Sequence, residues 1–162
     1  MVGYAAARDE LYRRLCAVFA SGAFADLYGV ERPKVYRGFP TTEPPFYVAV
    51  DEIATDARAT GSASMWHAEF TFGIKVYLFA QHVDLIVASD TLLAYLDAAM
   101  AAVLADATLA GTVDNATASV DTEGTAADSS RRYMAAAQMT VECRVYSACP
   151  AELLEAINET QG

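Results

Sequence analysis

Residues 66–81 read WHAEFTFGIKVYLFAQ, and this stretch decides the fold prediction. Large apolar side chains occupy every second position from Phe70 to Leu78, and mostly polar residues lie between them. Because successive side chains of a strand point to opposite sheet faces, the pattern predicts a long antiparallel strand with one face toward water. Gly73 interrupts the alternation and predicts a bend or a bulge.

Two other stretches have the apolar spacing of helices, residues 5–20 and residues 84–105. Gly22 is expected to end the first helix, and Asp84 is expected to cap the second. The second stretch is interrupted by Asp97, which favours a helix packed on a sheet over one that spans a bilayer.

The rest of the chain divides into shorter strands and two stretches rich in small and polar residues. Apolar alternation predicts strands at residues 34–40, 46–53, 112–121 and 133–146. Prolines at both ends of the first of these favour a sheet edge. Residues 54–65 and 122–130 are predicted to be long loops, the kind that is often functional.

Pro150 predicts the start of a short C-terminal helix with Leu153, Leu154 and Ile157 on its apolar side. The predicted order is therefore α-β-β-β-α-β-β-α. We expect one α+β domain spanning residues 1–162, with an antiparallel or mixed sheet. The long helix and the terminal helices should pack on one face of that sheet.

The chain has 162 residues and a formal net charge of −10, with 21 acidic and 11 basic residues. This balance argues against a protein that grips DNA, because phosphate contacts need positive charge. An acidic wall would instead repel DNA and let it slide past. The odd set of Cys16, Cys143 and Cys149 favours reduced thiols over a disulfide framework.

The sequence presents no convergent set of catalytic or metal-binding groups. His67 and His82 are the only histidines, and an extended strand holds them too far apart to share a metal ion. Asp51 and Glu52 are adjacent in a predicted strand and should point to opposite faces. We therefore expect no catalytic, cofactor-binding or metal site and no enzymatic activity. The alternative is a small α+β enzyme or ligand-binding domain that uses His67, His82 or Cys149.

Open sheet edges and long loops favour a protein that associates with other subunits. Ring assemblies pair two different surfaces head to tail until the rotation closes. The candidate interface residues lie in the two predicted loops and at their borders: Arg58, Ser62, Met65, Trp66, Glu123, Asp128, Arg131 and Arg132.

Several segments together resemble the tail terminator family of long-tailed bacteriophages, also called tail completion or tail-to-head joining proteins. They are an N-terminal helix, FYVAV at 46–50, a long loop, and WHAEFTFGIKVYLFAQHVDLIVASDTLLAYLDAAMAAVL at 66–104. DATLAGTV at 106–113 and YMAAAQMTVECRVY at 133–146 follow. In that family an Asp-x-Thr-Leu-x-Gly turn after the helix leads into a hairpin, and Asp106, Thr108, Leu109 and Gly111 match it.

The resemblance implies a structural virion protein, assembled in the host cytoplasm and located in the tail or neck of the particle. Such proteins form a ring of copies of themselves, usually a hexamer, which caps the tail tube and ends its polymerisation. The ring joins the tail to the head-completion or neck protein, and DNA passes through its lumen without specific binding. No cofactor and no membrane is implied. The alternative within this class is a head-tail connector or neck subunit.

Overall fold

The computed structural model describes residues 3–61, 68–127, 130–147 and 151–160. The class is α+β, as predicted, and the described residues include one helix and one strand beyond the predicted order. The elements are α1 (Tyr4–Ala20), α2 (Gly22–Tyr28), β1 (Lys34–Arg37), β2 (Phe46–Val50), β3 (Thr55–Gly61), β4 (Ala68–His82), α3 (Leu85–Leu104), β5 (Asn115–Ala127), β6 (Tyr133–Ser147) and α4 (Ala151–Glu159).

The strands form one mixed sheet in the order β1-β2-β4-β6-β5. β1 and β2 are parallel, and the other pairs are antiparallel. β1 lies at an edge, as its flanking prolines predicted. β2 and β3 share the same side of β4, β3 near Ala68 and β2 near Ala80. The long β4–β6 ladder runs from the Ala68–Ser147 pair to the His82–Tyr133 pair.

The alternation predicted for β4 is confirmed, because its apolar positions line the buried face of the sheet. Phe72, Ile74, Val76 and Leu78 are buried there. They pair with Cys143, Val141, Met139 and Ala137 of β6, which are buried as well.

Helix α3 packs on this face of the sheet and buries ten of its residues. The Asp84 side chain accepts a hydrogen bond from Ile86 N at 2.9 Å, which confirms the predicted cap. By length and composition alone Leu85–Leu104 could cross a membrane. Its buried stripe against the sheet identifies it as a core helix of this fold.

A short helix, α2, was missed by the sequence prediction. α1 ends at Ala20 and its C-terminal cap is Ser21 rather than Gly22. The Ser21 hydroxyl also caps α2 by accepting from Phe24 N at 3.2 Å. Phe24 is buried, with its ring 5.2 Å from that of Phe19. A seven-residue helix shows too few turns for a periodic signal, so only the Ser cap and a following left-handed Gly29 mark it.

The predicted loop at 54–65 was wrong over the described residues, because residues 55–61 form strand β3 along β4. The register shifts by one residue between Thr55 and Arg58, and Asp56 adopts a left-handed φ of +50°. This bulge lies opposite Gly73, so the irregularity predicted for β4 belongs to its partner strand. A Cβ at Gly73 would approach Thr55 Oγ1 to 2.7 Å, which explains why glycine suits the position. Residues 62–65 lie outside the described residues.

The predicted loop at 122–130 was also wrong in its first part, because β5 continues to Ala127 in register with β6. β5 begins at Asn115 rather than at residue 112, and the described parts of 122–127 are exposed. Backbone pairing with β6 holds this segment in place. It buries no apolar side chain, which removes the alternation on which sequence prediction depends.

The turn that follows α3 is built by the Asp106 carboxylate. Asp106 accepts hydrogen bonds from Thr108 N at 2.9 Å and from Ala110 N at 3.0 Å. It also forms an ion pair with Arg14 at 3.0 Å. The Thr108 hydrogen bonds above all hold the pKa of this carboxyl well below its usual value. Leu109, Ala110 and Gly111 all have left-handed φ values, and Leu109 is fully buried. The Asp-x-Thr-Leu-x-Gly pattern thus has a structural reason in this chain.

Candidate functional site

The second face of the sheet is largely uncovered, and it is the candidate functional site. Among the described elements, only the segment around Phe39 approaches it, with its ring 4.5 Å from that of Tyr77. We call this surface the open face. Toward the Ala68–Ser147 end of the β4–β6 ladder it is polar, and toward the His82–Tyr133 end it is apolar.

The polar half is organised around one carboxylate. Lys75 Nζ of β4 lies 2.9 Å from Asp121 Oδ2 of β5 and donates to Thr140 Oγ1 of β6 at 2.6 Å. The Thr140 hydroxyl and Gln138 Nε2, the latter at 3.2 Å, also donate to Asp121. The network therefore ties three neighbouring strands together on the open face.

A bulge in β5 presents Asp121 to this network. The register with β6 shifts between Val120 and Thr122, so the intervening residue turns to the open face. Partial burial disfavours the ionised carboxylate, but hydrogen bonds from Thr140, Lys75 and Gln138 outweigh it. The pKa of Asp121 is consequently lower than usual.

The apolar half carries a row of aromatic side chains. The Tyr47 ring stacks on Phe79 at 5.1 Å, and the Tyr36 ring meets Tyr47 edge-on at 6.4 Å. The Tyr47 hydroxyl donates to Glu43 at 2.6 Å, which satisfies the polar end of a buried ring. Such rings offer a large contact area for little loss of side-chain entropy, a property of protein interfaces.

Beside this row, on the open face, lies a groove of about 470 Å³ formed by β4, β5 and β6. Its lining is predominantly apolar. The residues that define the groove are Tyr77, Phe79, Gly124, Met134, Ala136 and Gln138. Phe79, Ala136 and Gly124 are direct neighbours across three strands, so the two small residues leave the space that the groove occupies. We call this feature the β5–β6 groove.

The predicted interface residues lie at opposite ends of the open face. Arg58 Nε donates to Thr71 Oγ1 at 3.3 Å and lines a shallow pocket of about 290 Å³. Arg131, which has a φ of +62°, and Arg132 lie in the turn before β6. Eleven residues of β4 separate Thr71 from that turn, or roughly 36 Å of extended strand. Arg58 and the arginine pair therefore form separate sites.

Of the remaining predicted interface residues, Glu123 alone belongs to the described part of the chain. Glu123 is exposed and pairs with Ala137, so its side chain starts on the helical side of the sheet. Ser62, Met65, Trp66 and Asp128 lie outside the described residues.

Sequence reasoning missed the groove itself, although it carried one signal. Tyr77 and Phe79 occupy positions on the predicted polar face of β4, where the alternation should place hydrophilic side chains. Two aromatic residues on a face toward water mark a surface that another molecule can cover. The small residues opposite them belong to segments that were predicted as loop or as ordinary strand.

The groups considered for chemistry are dispersed or inert in the described part of the chain. No group of three or more His, Cys, Asp or Glu side chains suited to a metal ion occurs among the described residues. The His82 ring accepts from Asp84 N at 3.0 Å. Cys143 is fully buried, and burial raises the pKa of its thiol to about 12, as expected for a small core residue. His67 and Cys149 lie outside the described residues.

Asp51 and Glu52 do not form a carboxylate pair. Glu52 accepts hydrogen bonds from Arg8 at 3.1 Å and from Arg37 at 2.9 Å, which ties α1 to β1 and β2. The Asp51 backbone carbonyl accepts from the Tyr4 hydroxyl at 3.3 Å. Both residues therefore hold the C-terminal end of β2 against α1.

Part of the acidic excess of the chain lies on the outer surface of α2 and α3. Residues 22–30 and 83–105 contain no lysine or arginine. Their acidic side chains are exposed: Asp26, Asp84, Asp90 and Asp97. Exposed Leu27, Ile86 and Leu93 lie among them. In contrast, the open face carries acidic and basic residues in similar numbers.

A comparison with protein-family models found no match, and a comparison with curated proteins found none either. Among solved structures, the fold is similar to a chain of the "Virion of native gene transfer agent (GTA) particle". That match has 12% sequence identity and a TM-score of 0.49, and it covers 86% of this chain and 94% of the other. The likeness is remote and assigns no activity or partner to this chain.

Proposed function

We propose that this chain is a structural virion subunit that forms a ring, caps a phage tail tube and joins the tail to the head. The observation that carries the proposal is the open face, where the half-buried rings of Tyr77 and Phe79 line an apolar groove. Surfaces of this kind mark sites of association between proteins. The kind of assembly is proposed from the resemblance to the tail terminator family, which lies in residues 46–50, 66–104, 106–113 and 133–146.

The charge distribution supports passage of DNA through such a ring. The outer surface of α2 and α3, which carries four exposed aspartates and no basic residue, would repel phosphate groups and keep the DNA from adhering. We therefore propose that this surface faces the lumen. The open face, with its balanced charges, is then left for contacts with other protein subunits.

The proposal includes a structural rather than a catalytic role. The thiol of Cys143 is buried with a raised pKa, His82 is engaged by the backbone of Asp84, and the carboxylate of Glu52 is held by two arginines. Of the residues that the enzyme alternative would use, His82 is the one that lies in the described part of the chain.

Mass measurement with imaging tests the proposal. We expect the purified chain to form rings, alone or when mixed with the tail-tube protein of its particle, and to sit at tube ends in electron micrographs. A ring that binds only neck proteins would favour the connector alternative. A monomer that joins neither tubes nor necks would contradict the proposal.

A further inference from the structure

We propose that α4 of one subunit docks into the β5–β6 groove of a second copy of this chain. The inference rests on the proposed ring and identifies the contact between neighbouring subunits. It is suggested by two features of the described residues, a C-terminal helix whose residues 155–160 are exposed and an exposed apolar groove.

Helix α4 has few contacts with the other described elements. It makes no extensive contact with another described element, and residues 155–160 are all exposed. The sequence predicts an apolar side for this helix, and 53% of Ile157, a member of that side, is exposed. A nine-residue helix is marginal in water without packing. An occupied groove would supply that packing.

The α4 of the same chain cannot reach the groove. β6 ends at Ser147, and Ala136 at the centre of the groove lies eleven residues earlier, or roughly 36 Å along the strand. The connection from Ser147 to Ala151 spans at most about 14 Å, and the helix adds about 9 Å to Ile157. The helix that fills the groove must therefore come from another copy.

Charge complementarity favours the groove over the other exposed apolar surface. α4 contains Glu155 and Glu159, with Glu152 in its first turn, and no basic residue. Glu123 is the one acidic residue among those that line the groove, and Arg131 and Arg132 lie in the turn immediately before the groove strand β6. The exposed apolar residues of α2 and α3 lie instead among aspartates, which would repel an acidic helix.

The contact joins two different surfaces and is therefore heterologous. Each subunit offers one helix and one groove, so the contact repeats from copy to copy and closes into a ring when the rotation allows. A short helix gives a small interface. In a closed ring, however, each subunit is held by two such contacts, one through its helix and one through its groove.

Site-specific photo-cross-linking tests this contact. A photo-reactive amino acid replaces Ile157, and the matched control carries it at Asn158, one residue away on the same exposed helix. Irradiation should give covalent dimers in which position 157 is joined to the tryptic peptide Tyr133–Arg144, which contains the groove strand. The substitution Ala136→Glu should lower the dimer yield by about tenfold or more, and the control position should give little dimer. Cross-links within one chain, or to α3, would overturn the proposal.

A mixing experiment tests the head-to-tail character of the contact. A chain with Ala136→Glu and the photo-reactive residue at 157 keeps a working helix but a blocked groove. A tagged Ile157→Arg chain keeps a working groove but a disabled helix. Only unlike chains should cross-link, while cross-linking among copies of the first chain would contradict the model. Thermal melts of both variants check that they fold.

The outcomes separate this inference from the proposed function. Rings that cap tail tubes without 157-to-groove cross-links would overturn the helix–groove contact and leave the proposed function intact. Cross-links at the groove in a chain that never joins tubes would overturn the proposed function and support the contact.

Discussion

Lys75 Nζ lies 2.9 Å from Asp121 Oδ2, so that one ion pair joins β4 to β5 across the intervening strand β6. Thr140 and Gln138 of β6 also donate hydrogen bonds to Asp121. The pair lies on a sheet face that no described helix covers. It fixes the bulged position of β5, whose continuation forms one wall of the β5–β6 groove.

The first prediction concerns the pH dependence of this network. Because the folded pKa of Asp121 is lowered, its contribution to stability is present above the unfolded pKa of about 3.9 and is lost as the pH falls through the folded value. Asp121→Asn should lower the free energy of unfolding at pH 7 by about 1 kcal/mol. Urea unfolding should show this difference shrinking below about pH 4. Asp26→Asn, at an exposed site, is the control. If Asp121→Asn lowered the free energy of unfolding equally at pH 7 and below about pH 4, the expectation would be contradicted.

A second prediction follows from backbone strain after α3. Ala110 has a φ of +57°, a conformation that glycine adopts without the steric cost of a Cβ. Ala110→Gly should stabilise the fold by about 0.5 to 1 kcal/mol, after allowance for the greater freedom of glycine in the unfolded chain. Ala101→Gly, at an exposed position of α3, should instead destabilise the fold by about 1 kcal/mol. Thermal unfolding of the two variants side by side checks the opposite signs.

The third prediction tests strand β3. A methyl group at position 73 would lie 2.7 Å from Thr55 Oγ1 and 3.1 Å from Thr140 Cγ2. Gly73→Ala should therefore destabilise the fold by roughly 1 to 3 kcal/mol. Adding Thr55→Ala should recover part of that loss, because it removes the nearest atom. A double-mutant cycle with no coupling between these positions would show that β3 does not pack beside Gly73.

Residues with alternating or helical apolar spacing were predictable, and those without it were not. β4 and α3 bury one side, so their patterns indicated both their type and their orientation. β3 and the end of β5 are held by backbone pairing and stay exposed, and their small polar residues therefore looked like loops. The groove was hidden for a related reason, since it combines residues of three strands and no local pattern encodes their meeting.

The fourth prediction concerns the proposed passage of DNA. Asp90→Lys with Asp97→Lys would place two cations on an otherwise acidic surface. In assembled particles the double variant should slow the release of DNA, and added salt should relieve the delay because it screens phosphate contacts. Release is measured by fluorescence of an external DNA dye. Equal rates in variant and unsubstituted particles would place α3 away from the lumen.

The most direct test of the central claim is the length of tail tubes polymerised in the presence of this chain. Tail-tube protein is assembled with increasing amounts of it, and tube lengths and tube ends are recorded by electron microscopy. The account predicts a ring at one end of each tube and tubes that stop growing once capped. Tubes that keep growing with bare ends, at any ratio of the two proteins, would contradict it.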